Sequence, residues 1–152
     1  MGDRTYYQVK VRKDDIPKFT RIIFSFGKDA HPDRGYEEWL KEWEEVFEDT
    51  ETFVEVSDCQ MNYGAWDQTQ SAAMAGCVFY GSHGAGGEYG CGGFVGVGEK
   101  FYGIDMSHYG NPTVCVEDDG TVSETALENV REYLKAKKVV RTEFGEENSD
   151  NQ

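Results

Sequence analysis

The chain is short of proline, of paired cysteines, of long apolar runs and, through most of its length, of positive charge. Three prolines in 152 residues leave long stretches free to form hydrogen-bonded structure. The cysteines Cys59, Cys77, Cys91 and Cys115 are spaced without any Cys-x-x-Cys pair, which excludes the readable zinc-ribbon and thioredoxin signatures. No apolar run approaches the roughly eighteen residues that mark a membrane-crossing helix. The opening MGDRTYYQV lacks the apolar centre of a secretory signal, so a cytoplasmic protein with reduced thiols is expected.

The missing positive charge is the most informative absence. Fifteen Lys and Arg stand against 29 Asp and Glu, a formal net of −14. Residues 1–28 hold seven basic and three acidic groups, residues 131–152 five of each, and residues 29–130 only three basic against 21 acidic. Affinity for nucleic-acid phosphates and for anionic lipid comes from cations, so direct binding to either is disfavoured. A partner protein with a basic surface is favoured.

What is present argues for one α+β domain over residues 1–144, with a flexible acidic tail at 145–152. Tyr7, Val9 and Val11 alternate with Gln8, Lys10 and Arg12, the pattern of a half-buried strand. Asp14-Asp15-Ile16-Pro17 reads as a helix start, with Ile16, Phe19, Ile22, Ile23 and Phe26 at helical spacing before Gly27. Tyr36, Trp39, Leu40, Trp43, Val46 and Phe47 form an apolar stripe on a second helix. Further strands are expected at Thr52–Val56, Cys77–Tyr80, Phe94–Val97, Phe101–Met106, Thr113–Glu117 and Val139–Phe144. A third helix is expected at Ala65–Ala75, closed by Gly76, and a fourth from a Ser123 cap. Gly98-Glu99 suits a type II′ hairpin turn. The order predicts a mainly antiparallel sheet with about four helices packed on one face.

Two constellations compete for function. The first is acidic. Glu37, Glu38, Glu42, Glu44, Glu45, Glu48, Asp49 and Glu51 crowd one segment, relieved only by Lys41. A helix rises about 1.5 Å per residue and duplex DNA carries a charge per about 1.7 Å, so these carboxylates approach the charge density of a duplex. Tyr89 is a candidate aromatic anchor beside them. This predicts an accessory or inhibitory protein, of a phage or plasmid type that imitates DNA, with no cofactor and no catalytic role.

The second is the glycine-rich stretch Gly81–Gly98, which holds nine of the eighteen glycines and is expected to be a long loop. It fits neither phosphate-binding pattern: the G-x-G-x-x-G spacing fails by one position, no lysine is available, and a strand follows instead of a helix. Cys91 and His83 could form a nucleophile and base, with Glu88 or Asp105 orienting the imidazole. The alternative function is thus a small enzyme or ligand-binding domain using Cys91, His83, Glu88 and Asp105. With His108 these are competent metal ligands, but they lack the close spacing of a zinc site, and no metal is predicted. Asp118-Asp119-Gly120 resembles the start of a calcium loop without its later ligands and reads as a turn. A subunit of an oligomer is the third possibility.

Overall fold

In the computed structural model, residues 4–23, 37–38, 41, 54–62, 66–85 and 90–146 are described, with 4–6 and 54–62 as backbone only. Five strands pair in one sheet: β1 (Arg4–Val11), β2 (Val54–Asn62), β3 (Phe79–His83), β4 (Cys91–Val97) and β5 (Lys100–Met106). Their spatial order is β2-β1-β3-β4-β5, and every neighbouring pair is antiparallel. Three α-helices are described: α1 (Ile16–Ile23), α2 (Trp66–Met74) and α3 (Glu124–Glu143). The fold is α+β. The helix expected over Tyr36–Phe47 lies outside the described residues except for Glu37, Glu38 and Lys41, all three helical and exposed.

Strand register assigns each side chain to a face, because side chains alternate and paired residues share a side. Tyr7, Val9, Val11, Phe79, His83, Phe94, Phe101 and Asp105 share one face. There Ile16, Phe19 and Ile23 of α1 and Ala72 and Ala73 of α2 complete a core with the sheet's aromatics. The opposite face carries Tyr80, Val95, Val97, Tyr102 and Ile104, under Tyr133, Ala136 and Val140 of α3. Helices therefore cover both faces, not one. Two apolar faces on the central strands, one led by Phe79 and Phe94 and the other by Val78 and Val95, each need a cover.

Local chemistry explains the helix ends. Gly76 adopts φ +97° just after α2, and the amides of Gly76 and Cys77 return to the carbonyls of Ala73 and Ala72. Ser123 caps α3 by accepting from the Ala126 amide at 3.2 Å. At the other end Gly145 (φ +79°) donates to the Thr142 carbonyl and Glu146 to that of Arg141, the paired bonds of a Schellman motif.

Several expectations are corrected. Val139–Phe144 is not a strand: α3 runs through Glu143, because Val140 extends the stripe of Tyr133 and Ala136 against the sheet. Leu134 of the same helix is exposed. Thr113–Glu117 forms no strand but only isolated bridges, Met106 with Pro112 and Val116 with Val122; Pro112 has no N–H to continue a ladder. The strand expected to end at Val56 continues to Asn62. Gly98 and Glu99 both have φ +62°, so the hairpin turn has the type I′ pattern and not II′. Asp118-Asp119-Gly120 is a turn, where the Asp119 carboxylate accepts from the Thr121 amide and hydroxyl. Gly145 and Glu146 are held by the packed body, since Glu146 pairs with Lys10 and accepts from Tyr80; residues 147–152 lie outside the described residues.

Candidate functional site

The glycine-rich stretch is mostly sheet. Gly81 lies in β3 and Gly92, Gly93 and Gly96 in β4, so only residues 84–90 connect the two strands. Its glycines make room for large neighbours. A Cβ on Gly92 would meet the His83 ring, and one on Gly103 of β5 would meet the Trp66 indole.

This room builds a site at one end of the sheet. His83 pairs with Gly92 and Gly92 with Asp105, so the histidine and the carboxylate share a face across a residue without a side chain. Trp66 meets the imidazole edge-on at 5.4 Å. A cavity of about 270 Å³ opens here, lined by Trp66, His83, Cys91, Gly92, Ile104 and Asp105. His83 is buried, and its Nδ1 lies 2.8 Å from the Gly84 carbonyl. That contact assigns the proton to Nδ1, since a carbonyl can only accept. Burial holds the imidazole below the ordinary histidine range, against the opposing pull of the Gly84 carbonyl and Asp105. At neutral pH it is an uncharged ring.

The cysteine is placed differently. One residue from Gly92, strand alternation sends the Cys91 side chain to the face opposite His83. Its Sγ stands 3.7 Å from Nδ1 of His108. The proposed pairing of Cys91 with His83 is thus replaced by Cys91 with His108, a thiol beside an imidazole and within reach of proton exchange. The signal was present in the chain: a two-residue turn at Gly98-Glu99 sets Cys91 opposite Met106, two residues before His108. It is missed when β4 is started at Phe94. Glu88 and Tyr89 lie outside the described residues. Among the described residues no three of His, Cys, Asp and Glu converge as a metal site.

Cys77 behaves as core. It is buried, and burial above all, with the Asp15 carboxylate adding, pushes its thiol up to about 11, against the pull of Lys18 and Arg12.

Of the acidic candidates, Glu37 and Glu38 are described and exposed. Arg21 grips Glu37 through two bonds, at 3.1 and 2.9 Å. Glu42, Glu44, Glu45, Glu48, Asp49 and Glu51 lie outside the described residues. A second acidic region, not singled out from sequence, follows the outer strand. Residues 101–130 contain no Lys or Arg and six carboxylates. All six, Asp105, Glu117, Asp118, Asp119, Glu124 and Glu128, are exposed. Among the basic groups near the termini, Lys10 and Arg141 pair with Glu146, and Arg12 with Asp15 and Glu143.

No family model matches the chain, and no curated protein or solved structure is similar to it. Among the described residues no helix is long and apolar enough to cross a membrane.

Proposed function

We propose that the protein works by binding a partner protein through a basic surface on that partner, as an accessory or inhibitory factor that imitates the charge of a nucleic acid. The observation that supports this reading is the segregation of charge. Residues 101–130, from β5 after Lys100 to the first turns of α3, expose six carboxylates and contain no lysine or arginine, while Lys10, Arg12 and Arg141 near the chain ends are tied to carboxylates beside β1 and the end of α3. A surface of one sign raises association rates with a complementary partner and weakens as salt screens it. The 37–51 segment adds eight further carboxylates of the same chain. In this reading the protein acts in the cytoplasm, where nucleic-acid-binding partners with basic grooves are found.

Capture of partners from the source cell tests it. Bound protein should be retained at about 50 mM salt, largely lost by about 200 mM, and displaced by added duplex DNA, because the duplex competes for the same cationic groove. Amide replacements at Asp105, Glu117, Asp118, Glu124 and Glu128 should weaken capture at least about tenfold, each lost contact counting for a fraction of a kcal/mol or more. Asp119 is left intact because it holds the Thr121 turn. Capture indifferent to salt and to DNA would sink the proposal.

A second reading rests on one contact, the Cys91–His108 pair beside the cavity. It makes the protein a small enzyme or ligand-binding domain in which Cys91, after passing its proton to His108, adds to a carbonyl carbon while the C=O π pair moves onto the oxygen, which takes the proton back from His108. Iodoacetamide labelling followed by peptide mass spectrometry decides its first requirement. Cys91 should react faster than exposed Cys115, and His108→Ala should remove that advantage. Buried Cys77 should stay unlabelled in the native protein. Equal rates at Cys91 and Cys115 would leave Cys91 an ordinary thiol.

A further inference from the structure

The sheet ends at β5, which pairs on one side only, with β4. In an antiparallel pair the N–H and C=O of one residue point the same way, and those of the next residue point to the other side. The Asp105 carbonyl is turned away from β4, because it accepts from the Thr113 amide at 3.0 Å. Alternation then turns the backbone polar groups of Gly103 and Phe101 outward as well. Among the described residues no backbone group pairs with either of them on that side.

This edge has little to guard it. Exposed edges are blunted by lysine, proline or a bulge. Within β5 there is one lysine, Lys100 at its first position, no proline, and an unbroken register with β4. The following segment meets the edge at the Met106–Pro112 bridge and at Thr113, and adds no further backbone bond to it. Beyond that point a groove of about 240 Å³ runs between the edge, this segment and the start of α3. Ile104, Val114 and Val130 give it apolar wall, and Gly103, Asp105 and Glu117 also line it.

Charge selects the occupant. No lysine or arginine lines the groove, and among the described residues neither Asp105 nor Glu117 forms an ion pair with one. The whole of 101–130 lacks positive charge. An exposed ladder of backbone donors and acceptors beside uncompensated carboxylates suits a chain that is both extended and cationic.

Resting on the charge reading above for the sign of the occupant, we propose that the outer edge of β5 receives an extended, lysine- or arginine-rich segment of the partner protein as an added strand. Its backbone bonds to Phe101 and Gly103. Residues opposite one another across a pair share a face, so cations at alternate positions stand beside Asp105. The intervening side chains are carried to the face of Ile104, where the groove has the liquid volume of about eight waters and takes a short apolar side chain. The recognised segment therefore alternates cationic and apolar residues.

A short blocked peptide alternating lysine and valine, added to the whole protein at low salt, tests the added strand. A second peptide with the same side chains, N-methylated at every residue, keeps the charge and loses the backbone donors. With the first peptide the amides of Phe101, Gly103 and Asp105 should shift saturably, and hydrogen exchange at the Gly103 amide should slow. The N-methylated peptide should bind at least about tenfold more weakly, the effect of losing two or more hydrogen bonds. Asp105→Asn and Glu117→Gln should each weaken the first peptide about two- to fivefold, as exposed ion pairs do. Equal affinity for the two peptides would overturn the added strand while leaving the charge reading standing. Unshifted edge amides would overturn it too, whatever salt and duplex DNA do to partner capture. Full affinity in both carboxylate variants would overturn the cationic occupant.

Discussion

Replacing Phe94 with alanine should lower the unfolding free energy by about 3–5 kcal/mol, the range for deleting a large buried aromatic. Phe94 is fully buried at the centre of β4. It stacks on Tyr7 at 5.2 Å, meets Phe79 at 6.0 Å and faces the Trp66 edge at 6.4 Å. The substitution thus leaves a cavity among three rings on different elements, β1, β3 and the start of α2, that cannot all close in together. In a chain of this length the midpoint should fall by roughly 6–20 °C. Urea unfolding measures the change directly, and a loss under about 1 kcal/mol would show that Phe94 is not the hub of this core. The same ring supports the cavity beside His83, since Trp66 packs on both. His83 should therefore lose its fixed environment along with the stability.

Asp15→Ala should cost about 2–4 kcal/mol, from one charged hydrogen bond and one buried donor left unmet. Asp15 is buried just before α1, and one carboxylate oxygen accepts both from the Val78 amide and from the Arg12 guanidinium, each at 2.9 Å. The Arg12 amide in turn donates to the Val78 carbonyl at 2.8 Å. The end of β1, the start of α1 and the entry to β3 are fastened at this point. Alanine strands the Val78 N–H in an interior from which water is excluded. Asn retains an acceptor and should cost clearly less. Hydrogen exchange at the Val78 amide gives a local readout: protection should fall in Asp15→Ala more than at β4 amides. Equal costs for Ala and Asn would show that the Val78 N–H gains nothing from the acceptor oxygen Asn retains, and would sink this account.

Alternation in Tyr7–Val11, the apolar spacing of Ile16–Ile23, the Ser123 cap and the left-handed glycine after α2 were all legible in the chain. Each depends on neighbours within a few residues. The errors share the opposite property. Val139-Val140 looks like a strand by β-branching, but packing of Val140 beneath α3 on the sheet decides for helix. The glycines of β4 look like a loop by composition. They are strand positions kept bare because His83, Tyr133 and Phe79 occupy the space their side chains would fill.

For the sites the division is similar. The chain alone determined the excess of carboxylates, the absence of positive charge from 101 to 130, and which cysteines and histidines were available. Tertiary structure alone decided that His83 faces Asp105, that Cys91 meets His108 instead, and that the outer edge of β5 runs beside a groove lined by Asp105 and Glu117. The reason is physical. Charge and local propensity are sums over nearby residues, whereas a site is set by strand register and by which helix covers which face, and one residue's slip in register sends every side chain to the other side.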